Sequence, residues 1–307
     1  MNRFSVWVSE LRLRTLPLAA ASIILAAGLA IQAQIFDGMI FSLSLITALL
    51  LQILSNLAND YGDVVSGADN ASRVGPQRAI QNGMITRLEL KRAIILTIGL
   101  CCLSGLSLLV VALEDDLTCW LMFLLFGLLA VAAATSYTMG KLSYGYRALG
   151  DLSVFLFFGL LSVLGSYYLY NQSFTFSLLL PASSIGFLSM AVLNINNMRD
   201  MYTDKAAAKT TLVVLCGRKN AFIYHLFLVF CAPLLAILYL LTLDKVQPWL
   251  FVMLLILIPL AKSSLSLRNL IRNDERQGER FNEQLKNVAM TTFIFSLLFS
   301  LLLITAY

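Results

Sequence analysis

Apolar residues fall in nine long runs, separated by polar segments of uneven length. The runs cover roughly Leu16–Ala33, Met39–Leu57, Ala93–Leu113, Cys119–Ser136, Leu152–Tyr170, Phe176–Ile195, Ala221–Leu243, Trp249–Leu267 and Val288–Ala306. Each approaches the ~20 residues that a helix needs to cross a bilayer core while pairing its own backbone groups. The runs are apolar nearly all round, so periodicity does not say which faces meet a cavity. Lys262 lies inside the eighth run and must snorkel to the interface.

Composition agrees. Of 307 residues, 59% are hydrophobic and 13% charged, against about 25% charged in soluble domains. An ordinary soluble enzyme is excluded, and one transmembrane domain over residues 1–307 is expected. A signal peptide is the alternative for the first run, but that run is too long for one and the second follows closely. With the N-terminus inside, 21 of the 22 basic residues fall on the inner side, and only Lys245 lies outside. The outer acids are Asp37, Glu114, Asp115, Asp116 and Asp244. This asymmetry supports nine spans with a cytoplasmic N-terminus. It also reads the net charge of +5 as a topology signal, so no nucleic-acid partner is expected. The five cysteines show no CxxC spacing and read as small apolar side chains, and His225 is the only histidine. No zinc or haem constellation follows.

Two polar clusters stand at the inner ends of the second and sixth runs, in the Asp-rich inner loops expected over 56–92 and 194–220. One is Asn56-Leu-Ala-Asn59-Asp60-Tyr61-Gly62-Asp63, with Asp69, Arg73, Gly75, Pro76 and Arg78 behind it. The other is Asn194-Ile-Asn196-Asn197-Met-Arg199-Asp200-Met-Tyr-Thr-Asp204-Lys205, followed by Lys209. Their likeness suggests an internal duplication of a four-helix unit. The mixed charge run over 262–287 reads as a solvated or interfacial helix.

If the helices continue past the membrane edge, Asp60 with Asp63 and Asp200 with Asp204 project from one face, with Cβ atoms ~5–6 Å apart. Each pair repels unless a cation lies between. Mg²⁺ fits, held by one or two carboxylates together with phosphate oxygens and waters. Asn59 and Asn197 add neutral oxygens, while Arg78 and Lys209 are donors for the remaining phosphate oxygens. The alternative for any single Asp is a helix cap or a surface charge.

These motifs resemble the UbiA superfamily of intramembrane aromatic prenyltransferases. The two Asp-rich motifs of that family look like Asn59-Asp60-Tyr61-Gly62-Asp63 and Asp200-Met-Tyr-Thr-Asp204. The likeness extends to Arg12-Leu-Arg14-Thr15-Leu16-Pro17, Gln52-Ile-Leu-Ser-Asn56-Leu-Ala-Asn59-Asp60, Gly75-Pro76-Gln-Arg78, Tyr144-Gly-Tyr146-Arg147-Ala-Leu-Gly150-Asp151 and Leu193-Asn-Ile-Asn-Asn197-Met-Arg199-Asp200. It is greatest for the members that prenylate 1,4-dihydroxy-2-naphthoate in menaquinone synthesis. The resemblance implies an all-α bundle of nine transmembrane helices around a cavity open to the cytoplasm, in a bacterial inner membrane. It implies transfer from a polyprenyl diphosphate with loss of diphosphate and CO2, two Mg²⁺ ions as cofactors, and contact with membrane lipid. The third acid that often follows in the superfamily is replaced here by Gly67, which puts a ligand role for Asp69 in doubt.

The residues suit that chemistry. Asp60, Asp63, Asp200 and Asp204 are the candidate metal and catalytic ligands. Arg78, Lys209, Lys205, Asn56, Asn59 and Asn197 are candidates for the diphosphate. An allylic cation would gain ~0.5–2 kcal/mol from a nearby aromatic face, for which Tyr61, Tyr137, Tyr144 and Tyr146 are candidates; interfacial anchoring is the other reading of each. Asp151 either deprotonates a naphthol hydroxyl or caps the fifth helix. Arg147 either meets the acceptor carboxylate or counts only towards the positive-inside set. A CDP-alcohol phosphotransferase is excluded because its DG-x2-AR motif is missing. A secondary transporter would place its charges nearer the midplane, and 4-hydroxybenzoate or homogentisate is the rival acceptor.

Overall fold

Several helices are opened by their own side chains. Asp37 accepts from the backbone N–H groups of Met39 and Ile40, and Asp116 from those of Thr118 and Cys119. Thr86 and Glu89 form a reciprocal capping box, and Thr211 accepts from Val214. Each cap satisfies N–H groups that a helix start leaves without partners.

The computed structural model describes residues 2–67, 74, 78–114, 116–140, 143–243, 248–276 and 278–305. Asp69, Arg73, Gly75, Pro76, Asp115, Asp244 and Lys245 lie outside them. The helices are α1 (Arg3–Glu10), α2 (Leu16–Gln32), α3 (Gly38–Val65), α4 (Arg87–Ala112), α5 (Leu117–Ser136), α6 (Gly150–Val154), α7 (Ser166–Asn171), α8 (Leu179–Ala206), α9 (Leu212–Leu240), α10 (Leu257–Arg272) and α11 (Gly278–Thr305). Among the described residues, nine stretches are long and apolar enough to span a membrane, matching the nine runs of the sequence. No strand occurs there beyond one isolated bridge between Arg147 and Thr210.

The elements differ from the sequence expectation in five informative places. Helix α3 continues to Val65 and α8 to Ala206, well past the apolar runs, so both Asp-rich segments are helical ends and not loops. Their polar residues face the bundle interior, where a hydropathy count alone ends the span too early. Helix α9 starts at Leu212 but is interrupted at Gly217, whose φ of 78° favours glycine. The eighth span begins as a 3₁₀ segment over Pro248–Ile256. The fifth span is π-helical over Phe155–Gly165, a geometry common at functional sites. Ser22 of α2 donates to the Phe158 carbonyl in that π segment at 2.7 Å. Gly159 and Gly186 let the segment approach α8 closely, because a Cβ on Gly159 would lie 2.7 Å from the Gly186 Cα.

The largest buried cluster joins α2, the π segment, α8, α9, α10 and α11, including Leu25, Ile185, Leu188, Phe295 and Phe299. A second cluster, around Leu54, Leu57 and Leu90, joins α1, α3 and α4. The large exposed apolar residues of α4 and α5, such as Leu96, Val110 and Leu128, are those of a surface meeting lipid. Cys101 and Cys119 are buried as expected, whereas Cys102 is exposed; all five cysteines are free.

Candidate active site

A cavity of about 1110 Å³ lies among α2, α3, α4, α5, the π segment and α8. Its polar end is lined by Asn59, Asp60, Asp63, Asn197, Asp200 and Asp204, so both motifs reach one chamber. The remainder is apolar, with Phe123, Leu124, Phe157 and Leu161 among its walls. Leu106 of α4 and Leu128 of α5 line it too and are also exposed on the bundle surface. The apolar limb therefore reaches the outer face between α4 and α5.

Each aspartate has a basic neighbour. Arg78 donates from Nη2 to Asp63 Oδ2 at 2.9 Å and from Nη1 to the Asn59 carbonyl at 2.8 Å, and Nη1 lies 3.0 Å from Asp60 Oδ1. Arg12 also pairs with Asp60. Arg199 donates to Asp200 from Nε at 2.7 Å, to Asn196 Oδ1 and to Asn282 of α11. Lys209 Nζ lies 3.3 Å from Asp204 Oδ1. Burial opposes the charge on Lys209, but Asp63 and Asp204 outweigh it and hold its pKa above the ordinary lysine value.

Lys209 joins the two motifs with help from an aromatic. Its Nζ lies 5.5 Å from the centroid of the Tyr146 ring, and the Tyr146 hydroxyl donates to Asp63 Oδ1 at 2.8 Å. Tyr137 and Tyr144 line the cavity and meet edge to face at 5.3 Å. Gly145 makes room for Tyr137, since a Cβ there would lie 2.6 Å from the Tyr137 carbonyl oxygen.

Other sequence candidates are placed elsewhere. Tyr61 is absent from the cavity wall and packs against the α1–α3–α4 cluster. Lys205 and Arg147 are exposed and outside the wall, because the helix turn and the Arg147–Thr210 bridge direct them away. Asp151 is buried outside the chamber, beside Tyr137 and Asn197, and accepts from the Tyr224 hydroxyl at 3.2 Å. It stands in the first turn of α6. Asn56 touches the wall, but its amide nitrogen is engaged by the Leu11 carbonyl at 3.1 Å and Thr15 Oγ1 at 3.0 Å, which makes it a strut for the α1–α2 linker. Arg12 and Arg199 stand in motifs of the sequence but have no role at the site in the sequence reading, and Glu10 is not singled out there, yet all three line the chamber.

Whether a divalent ion suits the site is a question of donor chemistry. The acids and Asn59 offer hard oxygen ligands, and Asp204 Oδ2 is buried without a hydrogen-bond partner. Among the described residues, no three His, Cys, Asp or Glu side chains converge on one point. The set fits ions held by one or two carboxylates and completed by phosphate oxygens, as Mg²⁺ is, and does not fit an all-protein cage.

Helices of this count and order, with two aspartate-bearing ends at one chamber, define an intramembrane prenyltransferase fold. Residues 18–305 match the UbiA prenyltransferase family, and the chain belongs to that family. It is 48% identical to the 1,4-dihydroxy-2-naphthoate octaprenyltransferase of Escherichia coli (strain K12), over 82% of each chain. It is 36% identical to the protein of that name from Mycobacterium tuberculosis, over 71% of this chain and 72% of the other. Among solved structures, a UbiA homolog from Archaeoglobus fulgidus bound to DMAPP and Mg2+ is similar with a TM-score of 0.59 and 16% identity, covering 95% of this chain and 98% of that one. A UbiA homolog from Aeropyrum pernix K1 gives a TM-score of 0.62 at 15% identity, covering 93% and 96%.

Proposed function

We propose that the chain transfers a polyprenyl group from polyprenyl diphosphate to 1,4-dihydroxy-2-naphthoate in menaquinone synthesis. The allylic C–O bond breaks and diphosphate departs. A C–C bond forms at the carboxylated ring carbon, and CO2 leaves with its bonding pair returned to the ring as demethylmenaquinol. The observation that carries this reading is one chamber lined by four aspartates and five cationic side chains, Arg12, Arg14, Arg78, Arg199 and Lys209, with an apolar limb behind. The names of the bacterial relatives support the acceptor.

Asp60, Asp63, Asp200 and Asp204 are the groups that would hold Mg²⁺, two ions being the expected number. When bound, the metal neutralises charge developing on the departing diphosphate. Arg12, Arg78, Arg199 and Lys209 are placed to exchange an aspartate for a diphosphate oxygen as the substrate head arrives. Asn59 and Asn197 orient that head. Tyr137 and Tyr144 present aromatic walls towards the allylic carbon, and the apolar limb excludes water from it. Tyr144 is itself fixed, since its hydroxyl donates to the Ala133 carbonyl at 2.9 Å. The isoprenoid tail runs along the limb towards lipid between α4 and α5. Residues 1–307 form one domain of the bacterial cytoplasmic membrane, with the aspartates facing the cytoplasm, in accord with the basic-residue asymmetry.

Membranes containing the chain should convert the naphthoate in a Mg²⁺-dependent, EDTA-sensitive reaction. Asp60→Asn with Asp204→Asn should abolish turnover while the protein remains inserted. An active double variant contradicts the metal-holding assignment.

A further inference from the structure

The reaction proposed above leaves one buried acid of the chamber without a task. Glu10 ends α1, is 3% exposed and lines the cavity. Its Oε1 accepts the backbone N–H of Ala79 at 2.5 Å, across 69 residues of chain. Its Oε2 is buried and accepts no hydrogen bond, and its carboxyl lies within hydrogen-bonding reach of that of Asp60. Two carboxyl groups held this close in a poorly solvated place are costly even when they share a proton, so packing alone does not account for Glu10.

Ala79 directly follows Arg78. The Arg78 guanidinium reaches Asp63, Asp60 and the Asn59 carbonyl, and such a fork works only if its main chain is fixed. The α1–α2 linker is tied to α3 in turn by Asn56 and by the Arg12–Asp60 pair. The Glu10–Ala79 bond adds a main-chain tie between that assembly and the segment carrying Arg78, beside the contacts of the Arg78 side chain itself.

We infer that Glu10 is a positioning residue for the diphosphate site: its carboxylate anchors the peptide at Ala79 and so aims Arg78 at the first aspartate pair. The inference rests on the reading of the chamber as a diphosphate site. Glu10 touches no substrate and acts through Arg78. The ligand class concerned is a Mg²⁺-bound diphosphate, whichever organic group it carries.

The test uses the full chain in detergent. It reads steady-state kinetics and, without turnover, the stabilisation against heat by Mg²⁺ with inorganic pyrophosphate. Glu10→Leu removes the acceptor and should raise both KM for prenyl diphosphate and the pyrophosphate midpoint about tenfold, with the acceptor KM little changed. Glu10→Gln keeps an acceptor oxygen and should restore both to within about threefold of the parent. In an Arg78→Ala background, Glu10→Leu should add nothing further to the pyrophosphate midpoint. If leucine destabilises the chain, Glu10→Ala gives the same readouts. Parental values for the leucine or alanine variant overturn the inference, as does a glutamine variant as damaged as leucine, or full additivity with Arg78→Ala. A parent chain that binds Mg²⁺-pyrophosphate but prenylates no aromatic acceptor defeats the proposed function instead, and Glu10 is then judged on the pyrophosphate midpoint alone.

Discussion

The Tyr146 hydroxyl donates to Asp63 at 2.8 Å although 83 residues separate the two. Backbone pairing sets this reach: Thr210 N–H donates to the Tyr146 carbonyl at 3.2 Å, and Ala148 N–H to that of Thr210 at 2.8 Å. The same two strands of chain place Lys209 against the Tyr146 ring, so one loop contact registers both aspartate motifs. Tyr146→Phe keeps the ring and removes the donor. It should lower kcat/KM for prenyl diphosphate by about tenfold, the size of a hydrogen bond to a charged group. Unchanged kinetics in a correctly inserted protein would show that Asp63 does not depend on Tyr146.

Lys209 makes a prediction about pH. Its pKa is raised above the ordinary 10.5 because Asp63 and Asp204 overcome the effect of burial. A raised cation contributes fully below its unfolded pKa, and the contribution fades only as pH climbs through the higher folded value. Burial likewise pushes the Tyr137 and Tyr146 phenols above their ordinary value. None of the three should produce an alkaline limb between about pH 7 and about pH 10. Lys209→Gln leaves Asp63 and Asp204 without this cation and should cost ~100-fold in kcat/KM, equally across that window. A defect that shrinks towards the alkaline end contradicts the assignment.

Much of this was legible in the sequence, for physical reasons that particular residues show. Long apolar runs and clustered Lys and Arg gave the nine spans, because lipid tolerates only internally paired backbone. The Asp60/Asp63 and Asp200/Asp204 pairs were visible because their spacing is that of one helix face. Partners distant along the chain were not. Nothing local to Arg12 points to Asp60, or local to Arg199 to Asn282, and the Arg147–Thr210 bridge that turns Arg147 outward has no sequence signature. The π segment was hidden as well, since Phe155–Gly165 is as apolar as any α-helical span.

Close packing around the first motif yields a steric prediction. A Cβ on Gly62 would lie 2.5 Å from Thr138 Oγ1 and 2.7 Å from the Thr138 carbonyl carbon. Backbone cannot yield as a flexible side chain does, so Gly62→Ala should destabilise the protein by ~1–3 kcal/mol. Thermal unfolding in detergent measures this. A variant as stable as its parent would mean that α3 and the Thr138 turn are further apart than described.

The apolar limb gives a prediction about substrate length. Gly127 lines it, with open space where a Cβ would project. Gly127→Trp should obstruct a long isoprenoid and spare a short one, lowering kcat/KM for a long-chain polyprenyl diphosphate at least ~10-fold more than for geranyl diphosphate. Equal losses for both would place the tail elsewhere.

The central claim is the pairing of this chamber with a naphthoate acceptor, and competition between acceptors tests it most directly. Membranes containing the chain, supplied with Mg²⁺ and a polyprenyl diphosphate, are offered 1,4-dihydroxy-2-naphthoate and 4-hydroxybenzoate, and prenylated product and released CO2 are measured together. A prenylated naphthoquinol with one CO2 per transfer, and no prenylated benzoate, is expected. Prenylation of 4-hydroxybenzoate with the naphthoate left untouched would contradict it.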